Sequence, residues 1–241
     1  MPNEFSIVIP MYNEQDNVIP LLNEVIANAP KGTYEIVVVD DASQDNTYEA
    51  LKQVQSNASQ LKIVRHKKNF GQSAGILSGV MAAQYPWIIT LDGDGQNDPA
   101  DMKLFVETLE KNQYKEKLLL AGQRKERKDT RLKRISTKIA NKIRGGLLRD
   151  NCPDSACGMK LFNQKIFLSL PHFNHMHRFL PAVFKQVNAE IINIPINHRP
   201  RIRGKSKYGI NNRLWVGIID LFGVSWLLRR ACLPEVINAN Q

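Results

Sequence analysis

The segment Asp92-Gly93-Asp94-Gly95-Gln96-Asn97-Asp98 places several oxygen donors in a glycine-opened loop directly after the apolar run Trp87–Asp92 (WIITLD). Two aspartates at i and i+2 can share one hard divalent cation and still leave positions open for a substrate phosphate. Side by side and uncompensated they would repel, so a positive partner is expected. An EF-hand loop is excluded, because its sixth position would be Asn97 rather than Gly and its twelfth Lys103 rather than Glu. The competing reading is an Asx-rich turn capping the helix that begins at Pro99, with Asp98 as its N-cap.

A second acidic pair, Asp40-Asp41, closes the run Glu35–Asp40 (EIVVVD). At a strand end it could hydrogen-bond a base or a ribose. It could equally form a turn, with helix capping by Ser43, Asp45 or Asn46, and the spacing leaves both readings open. Other nucleotide motifs are missing. The first apolar run is followed by Met11-Tyr12-Asn13-Glu14 rather than GxGxxG, and no GxxxxGK[ST] occurs. Gly71, Gly75 and Gly79 recur every four residues beside Ala74, Ser78 and Ala82, which predicts a smooth helix face packed on a sheet. Cys152 and Cys157 lack the second ligand pair of a zinc site, and three cysteines give no disulfide framework. They read as reduced thiols of a cytosolic protein. His172, His175 and His177 are assigned structural roles.

Charge is unevenly placed. The chain carries a net +10, yet residues 1–122 hold 10 basic and 16 acidic side chains, a net of −6. Residues 123–149 hold 11 basic side chains against Glu126 and Asp129, and 198–213 hold six basic side chains and no acid. Such blocks attract phosphates, whether of nucleic acid, anionic lipid or a phosphorylated substrate. Nucleic acid is excluded as a partner, because Tyr208 is the only aromatic in these blocks and no zinc-finger or RNA-recognition motif appears.

The elements that must hold these groups alternate regularly. Strands are expected at Phe5–Pro10, Glu35–Asp40, Leu61–His66, Trp87–Asp92 and Lys117–Gly122, with helices between them, the last at Pro99–Lys111. That alternation predicts an α/β fold with a Rossmann-like, mostly parallel sheet and helices on both faces. In such sheets ligands sit at the carboxyl ends of the strands, which singles out Pro10–Glu14, Asp40–Ser43, Asn69–Gly71 and Asp92–Gln96. Further on, Cys157–Phe162 and Glu190–Pro195 read as strands. Arg131–Leu148 reads as an amphipathic basic helix and Asn211–Arg230 as a terminal helix. The domain plan is a catalytic unit over 1–210 and an amphipathic appendage over 211–241, facing a membrane or a partner. At 241 residues and 43% hydrophobic composition, the chain suits one such domain and excludes a disordered or disulfide-stapled class. No targeting segment is read at the start, and the longest apolar stretch, Leu214–Leu228, contains Asp220, so no membrane span is expected.

Seven pieces taken together resemble glycosyltransferase family 2 of the GT-A fold, within it the dolichyl-phosphate mannose synthase type. They are IVIPMYNEQDNV (7–18), IVVVDDASQDNT (36–47), NFGQSAGILSG (69–79), LDGDGQNDP (91–99), AGQR (121–124), DSACGMKLF (154–162) and RIRGKSKYG (201–209). The QxxRW motif of processive polysaccharide synthases is absent. The resemblance implies an inverting, Mg²⁺- or Mn²⁺-dependent transfer of a hexose from a nucleotide sugar, GDP-mannose first, to a polyprenyl or dolichyl phosphate. It implies that Pro10, Tyr12, Glu14, Val39 and Asp41 form the nucleotide pocket, and that Asp92, Asp94 and Gln96 hold the metal and the donor diphosphate. Arg124 with Arg131 or Arg134, and Ser136, would hold the acceptor phosphate, which makes Asp94, Arg124 and Arg134 the catalytic set. Arg201, Ser206 and Lys207 would close over the donor. A soluble glycan or protein acceptor, or a non-catalytic scaffold of a membrane complex, are the rival readings. The expected location is the cytoplasmic face of a membrane, with a separate membrane subunit as a further partner.

Overall fold

The computed structural model describes residues 3–125, 145–148, 150, 152–201 and 210–230, with the backbone alone for 210–216 and 218. The chain runs β1 (Glu4–Met11), α1 (Gln15–Ala27), β2 (Thr33–Asp40), α2 (Thr47–Gln55), β3 (Leu61–Arg65), α3 (Gln72–Ala82) and β4 (Trp87–Thr90). A 3-10 turn (Pro99–Asp101) then leads into α4 (Met102–Lys111) and β5 (Leu118–Arg124). After these come β6 (Lys160–Asn163), α5 (Gln164–Ser169), a second 3-10 turn (Met176–Arg178), α6 (Leu180–Lys185), β7 (Glu190–Ile196) and α7 (Ile210–Arg230).

The seven strands form one sheet in the order β3-β2-β1-β4-β6-β5-β7. β1 pairs in parallel with β2 and β4, β2 with β3, and β5 with β7, so the expected mostly parallel sheet is present. β6 runs antiparallel to both β4 and β5. It starts at Lys160 rather than Cys157, because residues 157 and 158 are bonded elsewhere. The Cys157 N–H closes a turn on the Asp154 carbonyl at 3.1 Å, and the Gly158 carbonyl accepts from Thr90 Oγ1 at 2.6 Å. The expected basic helix at 131–148 lies outside the described residues, except for a helical turn at 145–148.

Alternation along the strands fills two cores. Ile7, Ile9, Ile36 and Val38 point to the face covered by α1, α2 and α4, through Val18, Leu22, Leu51, Phe105 and Leu109. Val8, Val37, Ile88 and Leu119 point to the opposite face, which meets α3, α5, α6 and Val224 of α7. The glycine face of α3 makes close approach possible. A Cβ at Gly79 would lie 2.4 Å from Val8 Cγ1, and one at Gly75 would lie 2.8 Å from Pro10 Cβ. β1 lies between β2 and β4, so the connections diverge beside it. That switch point opens a crevice at the carboxyl ends of β1, β2 and β4.

Candidate active site

Residues from six chain segments line that crevice. Pro10, Met11, Tyr12 and Glu14 follow β1, Asp41 follows β2, and Asn69, Gly71 and Gln72 lead into α3. Asp92, Gly93 and Asp94 follow β4, with Ala156 and Arg201 closing the sides. The structure thus gathers Pro10, Tyr12, Glu14, Asp41, Asp92, Asp94 and Arg201 around one cleft. Val39 is fully buried beneath it.

The two acidic pairs divide their work. In the first, Asp40 makes the turn: its Oδ1 accepts from the Ser43 N–H at 2.9 Å, and Arg65 Nε lies 3.1 Å from Oδ2. Asp41 faces the cleft and accepts from the Phe70 and Gly71 N–H groups at 2.8 and 2.7 Å. His66 Nδ1 lies 2.6 Å from the same carboxylate, and its Nε2 lies 2.8 Å from Ser78 Oγ. The turn reading therefore holds for Asp40, while Asp41 is left lining the cleft.

In the second pair, Asp92 Oδ1 accepts from Gln72 Nε2 at 2.7 Å. A Cβ at residue 158 would fall 2.1 Å from Asp92 Cγ, so glycine there leaves the carboxylate its seat. Burial, then the charge of Asp94, raises the Asp92 pKa from 3.8 to about 6, against the opposing pull of Lys160. Asp94 Oδ2 accepts from Arg201 Nη2 at 2.7 Å, and Arg201 also lies 3.8 Å from Glu14 Oε1. Asp98 caps the turn at Pro99 as expected, accepting from the Ala100 N–H at 3.1 Å.

The donor set fits a hard cation. Asp92 and Asp94 offer only oxygen, and burial together with the charge of Asp94 disfavours an uncompensated Asp92 carboxylate. Among the described residues no group of three or more His, Cys, Asp or Glu gathers to hold a metal. A cation here would complete its shell with substrate phosphate and water, which is how Mg²⁺ is usually bound. Gln96 gives its backbone N–H to Asp94 Oδ1 at 3.1 Å, while its side-chain amide is turned 3.4 Å from both His198 Nε2 and the Arg199 carbonyl.

Arg124 stands beside the cleft in a bidentate pair with Asp154, at 2.7 Å from Nε and 2.6 Å from Nη2. Arg131, Arg134, Ser136, Ser206 and Lys207 lie outside the described residues. Sequence reasoning missed Gln72, His66, Ser78 and Asp154. Gln72 and Asp154 lie inside the family-like pieces with no role assigned, Ser78 stands out only beside the glycine face, and His66 carries no spacing signal. His177 is held to Ser73 Oγ at 2.8 Å, and burial with nearby Lys160 lowers its pKa to about 3. It is therefore neutral at physiological pH.

The Glycosyl transferase family 2 model matches residues 6–170. A dodecaprenyl-phosphate galacturonate synthase from Rhizobium johnstonii is 36% identical over 237 residues, covering 96% of this chain and 69% of the relative. An undecaprenyl-phosphate 4-deoxy-4-formamido-L-arabinose transferase from Edwardsiella ictaluri is 30% identical, covering 85% of this chain and 63% of the relative. Among solved structures, a mannosyltransferase from Pyrobaculum calidifontis in complex with GDP-Man and Mn²⁺ superposes with a TM-score of 0.69 at 15% identity, covering 95% of this chain and 65% of that one. Glucosyl-3-phosphoglycerate synthase from Mycobacterium tuberculosis, in complex with Mn²⁺ and UDP, gives 0.68 at 15% identity, covering 97% and 81%. These two structures bear on the fold, which is GT-A.

Proposed function

Because the chain belongs to glycosyl transferase family 2, we propose that it moves a sugar with inversion from a nucleotide sugar to a polyprenyl phosphate at a membrane surface. One observation carries the reading: Asp41, Asp92, Asp94 and Arg201, from distant parts of the chain, line a single cleft at the switch point of the sheet. The sequence similarity to two transferases named for polyprenyl-phosphate products or acceptors supports the lipid acceptor. Their names specify galacturonate and a formamido-arabinose, so they lend nothing to mannose, the first expectation.

Tyr12, Glu14 and Asp41 would take the nucleoside. Asp92 and Asp94 would hold a Mg²⁺ or Mn²⁺ ion, which when bound supplies charge neutralisation for the departing diphosphate. Arg201 adds a fixed cation on the same side of the cleft. The acceptor phosphate is already an anion at neutral pH, since the second pKa of such a monoester is near 6. It needs no general base, only cations to bring it to the sugar. Arg124, oriented by Asp154, would supply one, with Arg131 or Arg134 and Ser136 completing that side.

The lipid acceptor requires the cleft to meet a bilayer. No helix among the described residues is long and apolar enough to cross one. α7 instead presents Ile219, Phe222 and Trp226, each more than 60% exposed and spaced along one face. Its other side is held by Gln186 Nε2 on the Leu228 carbonyl at 2.8 Å and by His175 on Asp220 at 2.7 Å. An apolar stripe ending in Arg229-Arg230 suits the head-group plane of a cytoplasmic leaflet.

The test is transfer from labelled GDP- and UDP-sugars to polyprenyl phosphate, with Mg²⁺ or Mn²⁺, in anionic vesicles. A lipid-linked sugar is the expected product. Transfer to a soluble glycan without lipid would move the acceptor assignment. Neither transfer nor donor hydrolysis would leave a scaffold as the better reading.

A further inference from the structure

Asp41 lines the cleft with three hydrogen bonds to its carboxylate already made. Its Oδ1 takes His66 Nδ1 at 2.6 Å and the Phe70 N–H at 2.8 Å. Its Oδ2 takes the Gly71 N–H at 2.7 Å. A carboxylate offers about four lone-pair positions, two on each oxygen. Oδ1 is therefore full, and Oδ2 has one position left for a group in the cleft.

His66 is itself fixed. With the carboxylate as acceptor, Nδ1 carries the hydrogen, and the other ring nitrogen is engaged by Ser78 Oγ at 2.8 Å. Phe70 packs edge-on against the ring at 5.4 Å between centroids. The chain of contacts Ser78–His66–Asp41 has the connectivity of a hydrolytic triad, but its polarity is reversed. A nucleophilic serine must face the substrate, whereas here the carboxylate end lines the cleft and Ser78 does not. The relay thus holds the carboxylate still, and cannot deliver an activated serine.

We infer that His66, held by Ser78, sets the base specificity of the nucleotide pocket by saturating one oxygen of Asp41, so that the pocket reads a base with a single imide N–H. Uracil presents one such donor at N3. Guanine presents two side by side, N1–H and the exocyclic amine, and pairing both with a carboxylate requires a position on each oxygen. One guanine donor would then be buried without a partner, which a polar pocket rejects. The donor of this chain is accordingly a uridine diphosphate sugar. This rests on the nucleotide-sugar reading above and narrows it.

Calorimetric titration of the full chain with UDP and GDP, each with Mg²⁺, tests it. UDP should bind at least about tenfold more tightly than GDP, as expected for about 1.4 kcal/mol from one unpaired donor. His66→Phe keeps a ring against Phe70 but removes the donor to Asp41. Its UDP affinity should fall and the UDP-to-GDP ratio should move toward one. His66→Asn carries an amide N–H at the Nδ1 position and should keep the ratio. A folded His66→Phe protein, shown by an unchanged circular dichroism spectrum, with an unaltered ratio would overturn the role of His66. Equal or tighter binding of GDP by the wild type would overturn the uridine assignment while leaving the transferase reading standing. Binding of neither nucleotide would remove the nucleotide site and this inference together.

Discussion

Arg201 Nη2 lies 2.7 Å from Asp94 Oδ2, so an internal cation already occupies part of the charge site that a divalent ion would claim. The arginine is partly exposed, and such a pair contributes on the order of 1 kcal/mol. Arg201→Gln should therefore tighten Mn²⁺ binding in the absence of nucleotide by about fivefold, read by electron paramagnetic resonance of free Mn²⁺. In the same variant nucleotide diphosphate should bind more weakly, since its own cation is gone. Weaker Mn²⁺ binding in the variant would show that Arg201 does not compete for the site.

Asp92 is held at a cost to stability. Its pKa in the fold is raised from 3.8 to about 6, first by burial and then by Asp94. Between those values the folded chain binds a proton that the unfolded chain has released, so stability falls as pH rises through that window. Allowing for water at the cleft mouth, the loss is about 1–2 kcal/mol. Asp92→Asn keeps an acceptor for Gln72 and should raise the Tm at pH 7.5 by about 2–6 °C. Divalent-dependent nucleotide binding should vanish in the same protein. Scanning calorimetry at pH 4 and 7.5 separates the effects, because the gain should disappear at the lower pH.

Asp154 should behave oppositely. Its bidentate partner Arg124 has a side chain 18% exposed and Asp154 one that is 9% exposed, so removing the acid strands a mostly buried guanidinium. Asp154→Ala should cost about 3 kcal/mol in denaturant unfolding. Use of lipid phosphate should suffer more than nucleotide binding, read as a rise in acceptor KM at unchanged nucleotide Kd.

Glycines in two helices should give opposite signs. Gly79→Ala pushes a methyl group to 2.4 Å from Val8 Cγ1 and 3.2 Å from Val39 Cγ2, and should destabilise by about 1–3 kcal/mol. At Gly223 an added Cβ meets nothing within 4 Å, and alanine there should stabilise α7 by about 0.5–1 kcal/mol. Paired thermal melts read both.

The exposed face of α7 offers a further test. Phe222 and Trp226 are 66% and 63% exposed, so replacing both by aspartate should leave the melting temperature within a few degrees. Sedimentation with anionic vesicles should drop several-fold, and added salt should weaken what remains. Undiminished sedimentation would place membrane contact elsewhere on the chain.

Much of this was legible in the sequence because it depends on neighbours along the chain. The short, near-continuous apolar runs FSIVIP and EIVVVD specify buried strands, and the acids just past their ends, Glu14 and Asp41, fall at the mouth of a parallel sheet wherever that sheet forms. The glycine face of α3 and the Asp98 cap are likewise short-range facts. The partners were not legible. Gln72 meets Asp92 across 20 residues, His66 meets Asp41 across 25, Arg124 meets Asp154 across 30 and Arg201 meets Asp94 across 107. No periodicity encodes such pairs. They follow from sheet order: β4 is placed beside β1, β6 is inserted antiparallel between β4 and β5, and the chain after β7 returns past the loop that follows β4. The sequence alone determined which charges the protein carries to its cleft. Only the tertiary structure decided which are already answered by another side chain, because that depends on which strand ends the sheet brings within hydrogen-bond reach.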